Sequence, residues 1–97
     1  MKIVIITGSS RGLGASTAIH CAKRGMGVIV TYNSNRAKAD EVVSEITSMG
    51  GKAVALKLDV GYSRSFPQFR DEVKAQLQSV WGRQTFDYLV NNAGYGL

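Results

Sequence analysis

Eight consecutive residues near the start of the chain, Thr7-Gly8-Ser9-Ser10-Arg11-Gly12-Leu13-Gly14, combine three glycines, three hydroxyls and a guanidinium. That mixture suits phosphate binding. Glycine lets backbone approach an anion closely, N–H groups at a helix start point at it, and a guanidinium adds charge. Two catalytic readings use the same residues. A P-loop needs four residues between its glycines and then Lys-Ser/Thr, whereas Gly8 and Gly12 enclose three and Leu13 follows. Gly8-Ser9-Ser10-Arg11-Gly12 also matches the G-x-S-x-G nucleophile elbow. That chemistry requires a histidine base downstream, and the one histidine, His20, falls on the outer face of the very next helix. The remaining alternative is a tight turn that binds nothing, with glycine present for steric reasons alone.

What the motif can do depends on the elements around it. Residues 2–6 (Lys-Ile-Val-Ile-Ile) are a short β-branched run ending at Thr7-Gly8, the pattern of a buried strand. A helix is predicted from Gly12, with Ala15, Ala18, Ile19, Ala22 and Met26 on one face and Gly25 and Gly27 punctuating its end. Residues 28–32 give a second strand. Asn35 is a suitable N-cap for a second helix with the stripe Ala39, Val42, Val43, Ile46 and Met49, stopped at Gly50-Gly51. Residues 53–58 give a third strand. Ser65-Phe66-Pro67-Gln68 has the form of a capping box opening a third helix along Phe66, Phe69, Val73, Leu77 and Val80, with Trp81 as its hydrophobic end-plug. Residues 87–90 give a fourth strand. No repeat, linker or low-complexity tract interrupts the series, so residues 1–97 are taken as one partial domain.

The order β-α-β-α-β-α-β implies an α/β fold with a parallel sheet and helices on both faces. Right-handed crossovers put the first two helices on one face and the third on the other. The expected strand order is 3-2-1-4, the first part of the Rossmann-type order 3-2-1-4-5-6, truncated before the remaining strands. The glycine motif then lies at the carboxyl end of the first strand, where such sheets place a ligand crevice.

Composition excludes several alternatives. No apolar run approaches the ~20 residues that cross a bilayer, and Gly8 breaks the N-terminal run too early for a secretory signal. The formal net charge is +5, but the 12 basic residues are scattered, with Lys23-Arg24 the only adjacent pair. A nucleic-acid surface would gather them into a stripe with interleaved aromatics. The single Cys21 fits a reducing, cytoplasmic setting and forms no internal disulfide. No metal site is expected.

Three signals together carry a resemblance: the spacing T-G-x-x-x-G-x-G, the pair Asp59-Val60 after the third strand, and Asn91-Asn92-Ala93-Gly94 after the fourth. In register along the whole chain, they resemble the short-chain dehydrogenase/reductase family. The resemblance implies that Gly8, Gly12 and Gly14 shape a pyrophosphate turn, with Ser10 and Leu13 backbone near the phosphates. It implies that Asp59 accepts from the adenine amino group and Val60 contacts the ring. Asn91 would help hold the central strand, while Ala93 and Gly94 pass under the nicotinamide ribose. Asn92 reads equally well as a turn amide.

NADP(H) is expected over NAD(H). An NAD site normally places an acid about 20 residues past the glycines, on the ribose 2′-OH. The second strand instead ends Thr31-Tyr32-Asn33-Ser34, and no acid precedes Asp40 inside the next helix. Asn33 and Ser34 offer neutral donors, and Arg11 projects from the turn toward the same spot. A charge-assisted contact of that kind contributes about 1.5–3 kcal/mol, about ten- to a hundredfold in affinity. Arg36 is a further candidate, read equally as a solvated charge at a helix start.

No catalytic residue is assigned. The resemblance implies hydride transfer between NADP(H) and a carbonyl or alcohol substrate, using Tyr-x-x-x-Lys. Four residues after Tyr32, Tyr62 and Tyr88 come Arg36, Phe66 and Asn92, and Tyr95+4 lies beyond Leu97. The expectation is the cofactor-binding part of a homo-oligomeric oxidoreductase, inactive as a 97-residue chain. Its alternative is a non-catalytic nucleotide- or partner-binding module. An open fourth-strand edge is further expected to make the short chain self-associate.

Overall fold

Four short runs of β-branched and apolar residues pair side by side in the computed structural model, which describes residues 1–8, 12–58 and 66–91. They are β1 (Ile3–Ile6), β2 (Gly27–Tyr32), β3 (Ala53–Lys57) and β4 (Tyr88–Val90). All pairings are parallel and the order is β3-β2-β1-β4. Between them come α1 (Gly12–Lys23), α2 (Arg36–Ser48) and α3 (Phe66–Gln76), the last continuing as a π-turn over Leu77–Trp81. The Rossmann-type reading of strand order is thus what the chain forms. The sequence-predicted residues Ser10, Arg11, Asp59, Val60, Asn92, Ala93 and Gly94, and the capping Ser65, lie outside the described residues.

The alternation of side chains along β1 and β2 divides the core. Val4, Ile6, Val28 and Val30 face one way and pack on Ala18 and Ala22 of α1 and Ala39, Val42 and Ile46 of α2. Ile3, Ile5 and Ile29 face the other way and pack with Leu56, Val73 and Leu77. Both faces of β1 are therefore covered, and all four of its residues are buried. Each fully buried aliphatic side chain contributes about 1.5–3 kcal/mol over its exposed state. The sheet's share of the core consequently comes chiefly from the two central strands, not from the three-residue β4.

Local chemistry sets the helix ends. The Asn35 side chain accepts from the Lys38 N–H at 3.1 Å and caps α2. On α1 the residues pressed to the sheet are Gly14, Ala18 and Ala22, a small-residue stripe at four-residue spacing that brings the helix axis close to β1 and β2. Two expected core positions differ. Met49 is 42% exposed because it follows the last turn of α2, and Phe66 is 44% exposed. The α3 side chains that reach the sheet begin at Phe69 and run through Val73 and Leu77 to Trp81 in the π-turn. Phe66 belongs to the first turn, ahead of that contact.

Trp81 does more than plug the helix. Its indole lies over Gly27 at the start of β2, where an added Cβ would come within 2.6 Å of Nε1. Nearby, Asp87 ties the start of β1 to the turn before β4. Its Oδ2 accepts from the Ile3 N–H at 2.8 Å and from Arg83 at 3.0 Å, and Arg83 also donates to the Met1 carbonyl at 2.7 Å.

Candidate functional site at the carboxyl ends of the strands

Parallel pairing brings the ends of all four strands to one edge of the sheet. Ile6 is level with Val30 on one side and Val90 on the other, and Tyr32 is level with Lys57. The residues that follow these strands therefore converge although they lie far apart in sequence. Gly8 leaves β1, Asn33 and Ser34 leave β2, Leu58 leaves β3 and Asn91 leaves β4.

The mouth of the glycine turn is fastened from both neighbours. On the β4 side, the Thr7 N–H donates to the Val90 carbonyl at 2.9 Å, and the Thr7 hydroxyl donates to Asn91 Oδ1 at 3.0 Å. On the β2 side, the Gly8 N–H donates to the Thr31 hydroxyl oxygen at 3.0 Å, and that hydroxyl donates to the Ile6 carbonyl at 3.1 Å. The Leu58 N–H donates to the Tyr32 carbonyl at 2.8 Å, keeping the end of β3 beside the end of β2. Gly8 and Gly12 have φ of 63° and 62°. Side chains rarely adopt that conformation, so the path from strand into helix needs glycine at both points.

At its far end the turn enters α1, whose first turn contains no acidic residue. The opening N–H groups of any helix lack intrahelical acceptors and carry the positive end of its dipole. Leu13 is 79% exposed and Gly14 is buried against the sheet. Backbone donors are thus presented by a helix start that carries no carboxylate of its own.

Asn33 and Ser34 are exposed just past β2. Arg36, the other basic candidate near them, pairs with Asp40 at 3.7 Å, both side chains well exposed at 71% and 58%. Such a surface pair contributes about 0–1 kcal/mol, so it would yield readily to a better anion. His20 is exposed on α1. Cys21 is half-buried beside the core, and burial pushes its thiol up against an opposing pull from Arg24, as expected of a packing residue. Among the described residues no group of His, Cys, Asp or Glu could hold a metal, and no helix is long and apolar enough to cross a membrane.

Thr31 is the site residue that pattern reading passed over. Its signal was one hydroxyl in the otherwise apolar run Gly-Val-Ile-Val-Thr-Tyr, at a position that is 1% exposed. A buried hydroxyl in a parallel strand needs partners, and the residue beside it across the sheet is the entrance to the glycine turn.

The sequence as a whole matches the family model for short chain dehydrogenase over residues 2–96. The chain belongs to the short-chain dehydrogenase family. An uncharacterized oxidoreductase of Methylorubrum extorquens is 45% identical over 93 residues, covering 96% of this chain and 35% of that protein. A 3-oxoacyl-[acyl-carrier-protein] reductase of Synechocystis is 37% identical over 94 residues, with 96% and 35% covered. Among solved structures, the angucycline C-6 ketoreductase LanV with bound NADP superposes with a TM-score of 0.92 at 32% identity, over 97% of this chain and 37% of LanV. The reductase LugOII, which catalyses keto-reduction at C1 in lugdunomycin biosynthesis, gives 0.92 at 38% identity, with 97% and 38% covered. This chain thus spans about a third of the length of the curated short-chain dehydrogenase relatives it matches.

Proposed function

We propose that the chain forms the NADP(H)-binding part of an oxidoreductase that transfers hydride between NADP(H) and a carbonyl or alcohol substrate. The observation that carries the reading is the glycine turn. It is fastened at the carboxyl edge of a parallel sheet, has positive φ at Gly8 and Gly12, and feeds a helix start free of acidic residues. Those features fit a pyrophosphate: backbone can approach it, and α1 opens toward it with N–H groups.

In this reading Gly8, Gly12 and Gly14 shape the pyrophosphate turn, with Ser10 and Leu13 backbone beside it. Arg11, Asn33 and Ser34 receive the 2′-phosphate, Asp59 and Val60 the adenine, and Asn91, Ala93 and Gly94 the nicotinamide end. Bound NADPH would supply the hydride. The chain's own part is to hold and orient it. The NADP-bound LanV structure supports a nicotinamide cofactor, and the absence of any acid between Tyr32 and Asp40 supports the phosphorylated form.

Calorimetric titration of the intact protein with NADP(H) and NAD(H) tests this. The expected result is tighter NADP(H) binding by about ten- to a hundredfold, one charge-assisted contact. Equal affinities would remove the preference, and no binding of either would remove the reading.

A further inference from the structure

We propose that Thr31 is a positioning residue of the dinucleotide site, holding the glycine turn in shape from the neighbouring strand. The proposal rests on the nucleotide-binding reading above and adds a residue that the glycine motif does not contain.

Thr31 occupies a place where valine would serve the strand equally well. It is 1% exposed and follows Val28, Ile29 and Val30, all fully buried. Valine has the same shape without a hydroxyl to desolvate, so the hydroxyl must be compensated by bonds. Among the described residues, it donates to the Ile6 carbonyl at 3.1 Å and accepts the Gly8 N–H at 3.0 Å. The first partner is the last residue of β1 and the second lies inside the turn. One side chain therefore spans the point where β1 stops being a strand and fixes the direction in which the chain leaves it. Gly8 departs at φ 63°, a conformation open to several continuations because glycine is unrestrained. The bond to Thr31 selects one.

Two consequences bear on ligand binding. The Gly8 N–H is committed to a side chain, so an incoming pyrophosphate meets the N–H groups at the start of α1, around Leu13 and Gly14, rather than Gly8. Thr31 also lies two residues before Asn33 on the same strand. The glycine turn and the proposed 2′-phosphate residues are thereby tied to one backbone segment.

Thr31→Val and Thr31→Ser in the intact protein separate this role from simple packing. Valine keeps the volume and removes the hydroxyl's bonds to Ile6 and Gly8; serine keeps the hydroxyl and removes a methyl group. For Thr31→Val the expected loss is about tenfold for NAD(H), the effect of one misplaced turn, and at least as large for NADP(H), which also meets Arg11 in that turn. Affinity for adenosine, which reaches neither the pyrophosphate turn nor Arg11, is expected to stay within about twofold, well under one lost hydrogen bond. Thr31→Ser is expected to restore most of the loss.

Unchanged NADP(H) affinity in Thr31→Val, equal weakness of the serine variant, or an equal loss for adenosine would each overturn the proposal. If the unmodified protein binds none of these nucleotides, the nucleotide reading fails and this inference falls with it. A measurement on the unmodified protein needs no variant to fold. The Gly8 amide should be protected from hydrogen exchange before NADP(H) is added, and its resonance should shift less than those of Leu13 and Gly14 on binding. A Gly8 amide that is unprotected, or that moves most, overturns the assignment.

Discussion

At Asp87 a single carboxylate receives the Ile3 N–H and the Arg83 guanidinium, 84 residues of sequence separating it from the first and four from the second. The hydrogen bond from Arg83 foremost, and then that from Ile3, holds the Asp87 carboxyl below the usual carboxylate range. A group whose folded pKa is depressed contributes stability above its unfolded pKa, and that contribution is lost as pH falls through the folded value. Asp87→Asn should therefore lower the urea midpoint at neutral pH, and the gap from the unmodified protein should close as pH falls below about 4, the ordinary aspartate range. A gap that stays constant with pH would mean that the carboxylate charge is not what holds the strand start. Arg11 makes the other residue-level prediction, on the proposed reading. Arg11→Ala should weaken NADP(H) binding by about ten- to a hundredfold and NAD(H) binding far less, by calorimetry. Parallel losses would mean that Arg11 shapes the turn instead of meeting the 2′-phosphate.

Between elements, the contact most sensitive to one atom is that of the π-turn on β2. A methyl group at Gly27 would sit 2.6–2.8 Å from three atoms of the Trp81 ring. Either the indole or the strand must then move, and Gly27 is itself paired with Ile3 in the sheet. Overpacking of this kind costs about 1–3 kcal/mol, so Gly27→Ala should lower the denaturation midpoint, and Gly27→Ala with Trp81→Leu should recover part of it. An unchanged midpoint in the single variant would show that the indole turns aside freely. Gly27 also shows how far patterns along the chain reached. Glycine there could be read as helix punctuation, and the helices, strands and their faces followed from periodicity because neighbours three, four or two residues apart share an element. Its contact with Trp81 joins residues 54 positions apart in sequence, and no local pattern carries it. The same holds in the candidate site. The glycine turn announced itself by composition, but Thr31 acts on Gly8 from 23 residues away, and only the parallel register of β1 and β2 makes them neighbours. The Phe66 position failed for a related reason: helical spacing identifies a face, not how much of that face meets a sheet.

Over the whole molecule, one side is finished differently from the others. Phe86, Tyr88 and Leu89 are 41%, 48% and 60% exposed around β4, which pairs only with β1 among the described residues. Next to them a groove of about 440 Å³ runs along α3, lined largely by Ile5, Phe69, Val73, Leu77, Phe86 and Leu89. Exposed apolar surface beside an open strand edge favours association. The 97-residue chain studied alone should self-associate with rising concentration in light scattering, and Leu89→Lys should reduce it. A monodisperse monomer for the unmodified chain would show that the edge is protected.

The place of β1 also bears on synthesis. It is made before the strands it pairs with, gains β2 soon afterwards, and meets its other partner through Tyr88, Leu89 and Val90. At roughly 5–20 residues per second, its second edge stays open for about 4–17 s while the intervening chain is made. During that interval an entirely apolar strand has one side without its β4 partner. A translational pause before β4 would therefore lengthen the exposure of that edge.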